Sequence, residues 1–157
     1  MISKAHRKAL RTIHGRLKDL DSPWAIAGSL GLALQGMDVL VNDIDLQTDQ
    51  EGAYKIQKAF RDAIVRNVTL SEADIIRSYF GELKVHGVKV EIIGALQKRL
   101  PNTEWKSPVE VQQHCTFVRF DGMNLPVLSL EHEERAYRIL GRIEKADRIK
   151  EWLERGK

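Results

Sequence analysis

The sequence predicts an α/β chain, α+β by stricter naming: a small β-sheet flanked by helices, with C-terminal helices packed on the core. Three observations predict it. Apolar runs of strand length alternate with stretches of helical period through the first half. Two Gly-containing turns, at His86-Gly87 and Asp121-Gly122, each lie between apolar runs. From Ser129 to about Glu154 the chain reads as helix.

In chain order, residues 2–20 form an amphipathic helix, because Ile2, Ala5, Ala9, Leu10, Ile13, Leu17 and Leu20 recur at three- and four-residue steps. Asp21-Ser22-Pro23 breaks it. Trp24 to Ala27 is a short apolar strand, expected to be central and buried. Ser29 to Gln35 is a helix stopped by Gly36. Ile44 to Thr48 is the second strand, beginning at an acidic pair, and Gly52 to Arg66 reads as a helix with Tyr54, Ile56, Ala59, Phe60 and Ala63 on its apolar side. Ile75–Val85 and Val88–Ile93 form a hairpin. Residues 101–110, with Pro101 and Pro108, form a loop. A second hairpin joins His114–Phe120 to Leu125–Leu128, and Ser129 caps the closing helix, with a bend expected at Gly141.

A chain of 157 residues is expected to form one domain, residues 1–157, with its own core. Its 43% apolar and 30% charged residues are those of a globular protein. No apolar run reaches the ~18 residues that span a bilayer. The N-terminal stretch carries no apolar signal core, so a cytoplasmic location is expected. The single Cys115 forms no internal disulfide, which fits that compartment. A net charge of +3 suits anionic ligands such as nucleotides and is too small to argue for nucleic acid on its own.

The chemistry concentrates in Ala27-Gly28-Ser29 and, after thirteen intervening residues, Asp43-Ile44-Asp45. A strand that ends in small residues before a helix exposes N–H groups suited to phosphate. Residues two apart on a strand share a face, so Asp43 and Asp45 aim at one volume. Adjacent carboxylates repel unless a cation or proton lies between them. A third carboxylate, Glu91, lies in the apolar run Val88–Ile93, on the face opposite Val90, and needs a partner or a metal there. If the strands of Asp45 and Glu91 are neighbours, the three acids gather.

Other groups read as structural. Glu131-His132-Glu133-Glu134 lacks the second His of a zinc helix and reads as a solvated first turn. His114 and Cys115 lack a zinc ligand set. Arg77, Ser78 and Lys84 read as strand-edge polarity, and Arg142, Lys145 and Asp147 as a solvated helix face. Trp24, Trp105 and Trp152 read as packing residues.

Gly28-Ser29, Asp43-x-Asp45 and a later acid in an apolar strand together resemble the nucleotidyltransferase superfamily, which includes DNA polymerase beta and kanamycin nucleotidyltransferase. Ala27 to Gly36 resembles the minimal single-domain members, the lincosamide and aminoglycoside nucleotidyltransferases and the toxins of abortive-infection systems. The resemblance covers roughly residues 24–93. It implies a mixed sheet flanked by helices, dependence on Mg²⁺, and transfer of a nucleoside monophosphate from an NTP to a hydroxyl acceptor. On that resemblance Gly28 and Ser29 bind phosphate, Asp43 and Asp45 hold metal, Glu91 is the third metal-binding and catalytic acid, and Lys145 reaches a phosphate. Two positions depart from it. Val39 and Val41 stand where the antibiotic-modifying relatives often carry Arg and His or Thr, and Glu91 replaces the commoner Asp. The alternatives are a module that binds a nucleotide or a partner without turnover, and a toxin–antitoxin component with a small helical partner. The chain's small size suggests that a homodimer or such a partner completes the cleft.

Overall fold

The computed structural model describes residues 2–156. Helix α1 (Lys4–Leu17) starts at Ser3, whose hydroxyl accepts from the His6 N–H, and it buries Ala9, Leu10, Ile13 and Leu17. Strand β1 (Trp24–Ala27) is buried throughout and leads directly into α2 (Gly28–Leu34). Strand β2 (Ile44–Thr48) is followed by α3 (Gln50–Ala59), then β3 (Ile64–Glu72), β4 (Ile76–Val85) and β5 (Val88–Lys98). A 3₁₀ turn at Val111–Gln113 precedes the hairpin β6 (Cys115–Phe120) and β7 (Met123–Leu128). Helices α4 (Leu130–Ile139) and α5 (Ile143–Arg155) close the chain.

The strands form one seven-stranded sheet in the order β3-β4-β5-β2-β1-β7-β6. It is mixed: β1 pairs antiparallel with β2 and parallel with β7, and β2 pairs parallel with β5. The α+β class and the mixed sheet expected from the sequence are therefore present. On one face, α1 and α3 pack Leu10, Ile13, Leu17, Ile56 and Phe60 against Ile26, Ile44, Leu46, Leu83 and Ile92 of the sheet. Each such side chain contributes about 1.5–3 kcal/mol on burial. A smaller cluster of Leu32, Met37, Leu130 and Ile149 ties α2 to α4 and α5.

Three boundaries differ from the sequence reading. The helix expected over 52–66 ends at Ala59, and residues 64–72 form edge strand β3. Phe60 is fully buried and anchors the helix end, while Ile64, Val65 and Val68 are β-branched and lie in the strand that pairs, from Ile64 on, with β4. Strand β5 continues past Ile93 to Lys98. Gly94 allows this, because a Cβ there would lie 2.8 Å from Ala53 Cβ and 2.8 Å from the Asp49 carbonyl oxygen, where α3 crosses the sheet. The closing helix is two helices, separated at Gly141, whose φ is +79°. Among the described residues, no helix is long and apolar enough to cross a membrane.

Candidate active site

The face of the sheet opposite α1 and α3 carries a cleft of about 480 Å³. Register builds it. Ala27 pairs with Asp45, and Asp45 pairs with Glu91, so β1, β2 and β5 place these residues in one row. Along β2 the alternation sends Ile44 and Leu46 into the core while Asp45 and Gln47 line the cleft. Asp43 lies in the bend just before β2 and also lines the cleft.

Gly28, at φ +67°, turns the chain from β1 into α2. A Cβ on Gly28 would collide with Asp45 Oδ2, so the carboxylate rests directly against bare backbone. Ser29 lines the cleft beside it, and across from them stand Tyr137 of α4, Arg142 and Lys145. Lys145 Nζ lies 5.4 Å from the centre of the Tyr137 ring. The face read as solvated therefore contributes two cations to the cleft wall. Its Asp147 instead accepts from Arg138 at 3.1 Å.

The acids perturb one another. Burial, then the neighbouring charges of Glu91, Glu133 and Asp43, pushes Asp45 up to about 7, while Arg142 pulls it down. Burial also raises Glu91, and Lys89 opposes that rise. Lys89 Nζ stands 3.6 Å from Glu91 Oε1, 3.7 Å from Glu82 Oε1 and 3.9 Å from Asp43 Oδ2. A cation thus already sits among the carboxylates on the solvent side. As they stand, no three His, Cys, Asp or Glu side chains among the described residues close on one point to hold an ion.

The sequence reading missed Glu133. Assigned to a solvated turn, it is 5% exposed, and its Oε2 accepts the Gly28 N–H at 2.9 Å. Burial pushes its carboxyl up to about 7, against the pull of that N–H and of Lys98. The signal was present: Leu130, Glu133 and Tyr137 recur at three- and four-residue steps, which puts Glu133 on the inward stripe of α4. Ser129 caps this helix as expected, accepting from the His132 N–H at 3.2 Å. His132 is also buried, stacked on His114 with ring centres 4.2 Å apart, and among the described residues its Nε2 has no hydrogen-bond partner. Burial, then the charge of His114, pushes it down to about 4.

The structure therefore brings Gly28, Ser29, Asp43, Asp45, Glu91 and Lys145 to one cleft. Val39 and Val41 do not line it: Val41 joins the main core, and Val39 packs beside Leu32 and Met37. Arg77 and Ser78, read as strand-edge residues, line the far end of the cleft, and Trp105 lies between the guanidinium groups of Arg77 and Arg99 at 4.5 and 4.1 Å.

A nucleotidyltransferase of Thermotoga maritima, provisionally assigned as such, matches 99% of this chain over 96% of its own, at 46% identity and a TM-score of 0.87. The lincosamide antibiotic adenylyltransferase LnuA, solved with lincomycin bound, shares the fold at 16% identity and a TM-score of 0.57, over 94% of this chain and 98% of its own. ANT(2'')-Ia, solved with adenylyl-2''-tobramycin, does so at 17% identity and a TM-score of 0.51, over 83% of this chain and 71% of its own. No curated protein matches the sequence significantly. The sequence profile of the aminoglycoside-2''-adenylyltransferase family matches residues 9–151, and the chain belongs to that family, within the nucleotidyltransferase superfamily.

Proposed function

We propose that this nucleotidyltransferase moves a nucleoside monophosphate from an NTP to a hydroxyl acceptor with the help of Mg²⁺. One observation carries the reading: Asp43, Asp45 and Glu91 line one cleft beside the side-chain-free Gly28, with Ser29, Arg142 and Lys145 around them.

The donor set fits a hard divalent cation. Carboxylate oxygens are the ligands Mg²⁺ takes, together with substrate phosphates. Asp45 and Glu91 are each destabilised as anions by burial and by nearby acids. A cation relieves both penalties. Asp43, Asp45 and Glu91 are the residues that would hold it. When bound there, Mg²⁺ supplies positive charge to the phosphate oxygens and to the attacking hydroxyl.

The chain's own groups divide the rest. Ser29, Arg142 and Lys145 face the outer phosphates, and Gly28, having no side chain, lets the Asp45 carboxylate sit directly against the turn. The acceptor oxygen forms a bond to the α-phosphorus. The bridging bond between the α- and β-phosphates breaks, and pyrophosphate leaves with that electron pair. Glu91 accepts the hydroxyl proton. Glu133 holds the turn through Gly28 N–H and so acts as a positioning residue.

The test pairs calorimetric titration with ATP, with and without Mg²⁺, and an assay of pyrophosphate release. Mg²⁺-dependent binding with release supports transfer. ATP bound equally well without Mg²⁺, and no release in any acceptor mixture, contradicts it. A binding module without turnover is the second reading. Two observations favour it: Val39 and Val41 are committed to packing, and the Gly28 N–H is already occupied by Glu133.

A further inference from the structure

Helices α4 and α5 meet at one tyrosine. Tyr137 lies on the inward stripe of α4, one turn after Glu133. Its carbonyl accepts the Arg142 N–H at 2.8 Å, which fixes the turn between the helices. Lys145 follows in the first turn of α5, and its Nζ lies over the Tyr137 ring, 5.4 Å from the centre. That distance is within the reach of a cation–π contact. Both cations of this cleft wall are therefore placed by the same residue, one through its backbone and the other through its ring.

The ring also stands at a boundary. A smaller cavity of about 210 Å³ lies beside the cleft, lined by Leu32, Met37, Val39, Leu40 and Arg148. Ser29, Tyr137 and Lys145 line both cavities. A lysine carries a point charge on a flexible four-carbon stem, so an unsupported ammonium here can turn into either. The neighbouring charges are held by hydrogen bonds: Arg138 donates to Glu134 at 3.0 Å and to Asp147 at 3.1 Å, and Arg148 donates to the Asp38 carbonyl at 2.9 Å. Among the described residues, Lys145 makes no bond of this kind, and what its ammonium meets is the aromatic face. Packing holds the ring in turn, because Tyr137 is half-buried against Leu32, Met37, Leu130 and Ile149.

Resting on the transfer reading above, we propose that Tyr137 is a positioning residue for the nucleotide: its ring holds the Lys145 ammonium on the cleft side, beside Ser29, where the outer phosphates of an NTP lie. The ring acts through Lys145. A side chain ordered before the ligand arrives spares part of the entropy cost of binding. The hydroxyl has no part in this, so a phenylalanine ring serves as well.

The test has two arms. In the ligand-free chain, proton NMR reads the ε-methylene of Lys145, which a ring current shifts upfield when it lies over an aromatic face. Tyr137→Phe should keep that shift and Tyr137→Leu should abolish it. This arm needs no nucleotide and stands whatever becomes of the transfer reading. In the second arm, a non-hydrolysable ATP analogue with Mg²⁺ is titrated into the intact chain, Tyr137→Phe, Tyr137→Leu, Lys145→Met and the double variant of the last two. Tyr137→Phe should bind as the parent does. Tyr137→Leu should bind about two- to fivefold more weakly, the scale of an exposed cation–π contact. In the Lys145→Met background the same change should cost nothing further. Should Tyr137→Leu not fold, Tyr137→Met removes the ring equally and takes its place.

A parent chain that binds no analogue refutes the transfer reading, and the spectra then decide the ring's hold on the ammonium by themselves. Three results would each overturn the proposal. One is an unshifted Lys145 methylene in the parent. Another is Tyr137→Phe binding as weakly as Tyr137→Leu. The third is Tyr137→Leu costing as much without the Lys145 ammonium as with it, which would mark the ring as a packing group or a direct nucleotide contact.

Discussion

The two faces of strand β2 show how this molecule divides its labour. Ile44 and Leu46 point to one side and are fully buried under α1 and α3. Asp45 and Gln47 point to the other and line the cleft. The core face is apolar and satisfied. The cleft face gathers acids that raise one another, the buried ammonium of Lys98 and, among the described residues, an amide oxygen of Gln47 without a hydrogen-bond partner. One face supplies stability, and the other stores electrostatic cost that a bound ligand can relieve.

Substitutions on the two faces should therefore separate activity from stability. The largest effect falls on the cleft face: Asp45→Asn should lower pyrophosphate release by about a thousandfold, the scale of losing a major electrostatic contributor. The variant should fold, and in metal-free buffer its melting temperature should rise, because a buried and repelled anion has been removed. A fall in melting temperature would break the contrast. Next, Ile44→Ala on the core face should cost about 2–5 kcal/mol in urea unfolding, with any surviving folded protein keeping its ligand affinity.

A third contrast comes from pH. His132 is held down to about 4 from 6.5 by burial, so its neutral form stabilises the fold. That contribution is complete above about pH 6.5 and is lost as pH falls towards 4, because the unfolded chain binds the proton first. The full loss is roughly 3 kcal/mol. Glu133 works in the opposite sense: its carboxyl is raised to about 7, so stability is gained as pH falls through that value. Unfolding curves of the parent chain and His132→Gln, compared at pH 7 and pH 4.5, isolate the histidine. The parent should lose more stability than the variant over that interval, and equal losses would refute the assignment. The smallest effect is expected for Glu133→Gln, about 1 kcal/mol in either direction. It exchanges a charged acceptor on Gly28 N–H for a neutral one while removing a buried charge.

The same contrast explains which parts of the molecule were legible in the sequence. Strands with both faces constrained were readable: β1 is a continuous apolar run, and β2 and the first half of β5 alternate around their acids. The sequence left the neighbouring of the strands of Asp45 and Glu91 as a condition, and the register that pairs the two residues comes from the fold. Edge strand β3 was not readable, because Val65 and Leu70 are exposed and its residues lack a regular inside–outside rhythm. Lys98 lay beyond the expected end of β5, since Gly94 looks like a stop until α3 is seen to cross there. Glu133 was misread because Glu131 and Glu134 flank it and make the turn look solvated, although its helical step from Leu130 to Tyr137 marks it as the inward one. Local chemistry thus exposed the acidic row, while the groups α4 and late β5 bring to it depend on packing over long sequence separation.

The most direct test of the central claim is calorimetric titration of a non-hydrolysable ATP analogue into the parent chain and Asp45→Asn, each with and without Mg²⁺. Mg²⁺ should strengthen binding to the parent by about tenfold or more and do little for the variant. Equal affinity with and without the ion in the parent, or the same gain in both proteins, would contradict it.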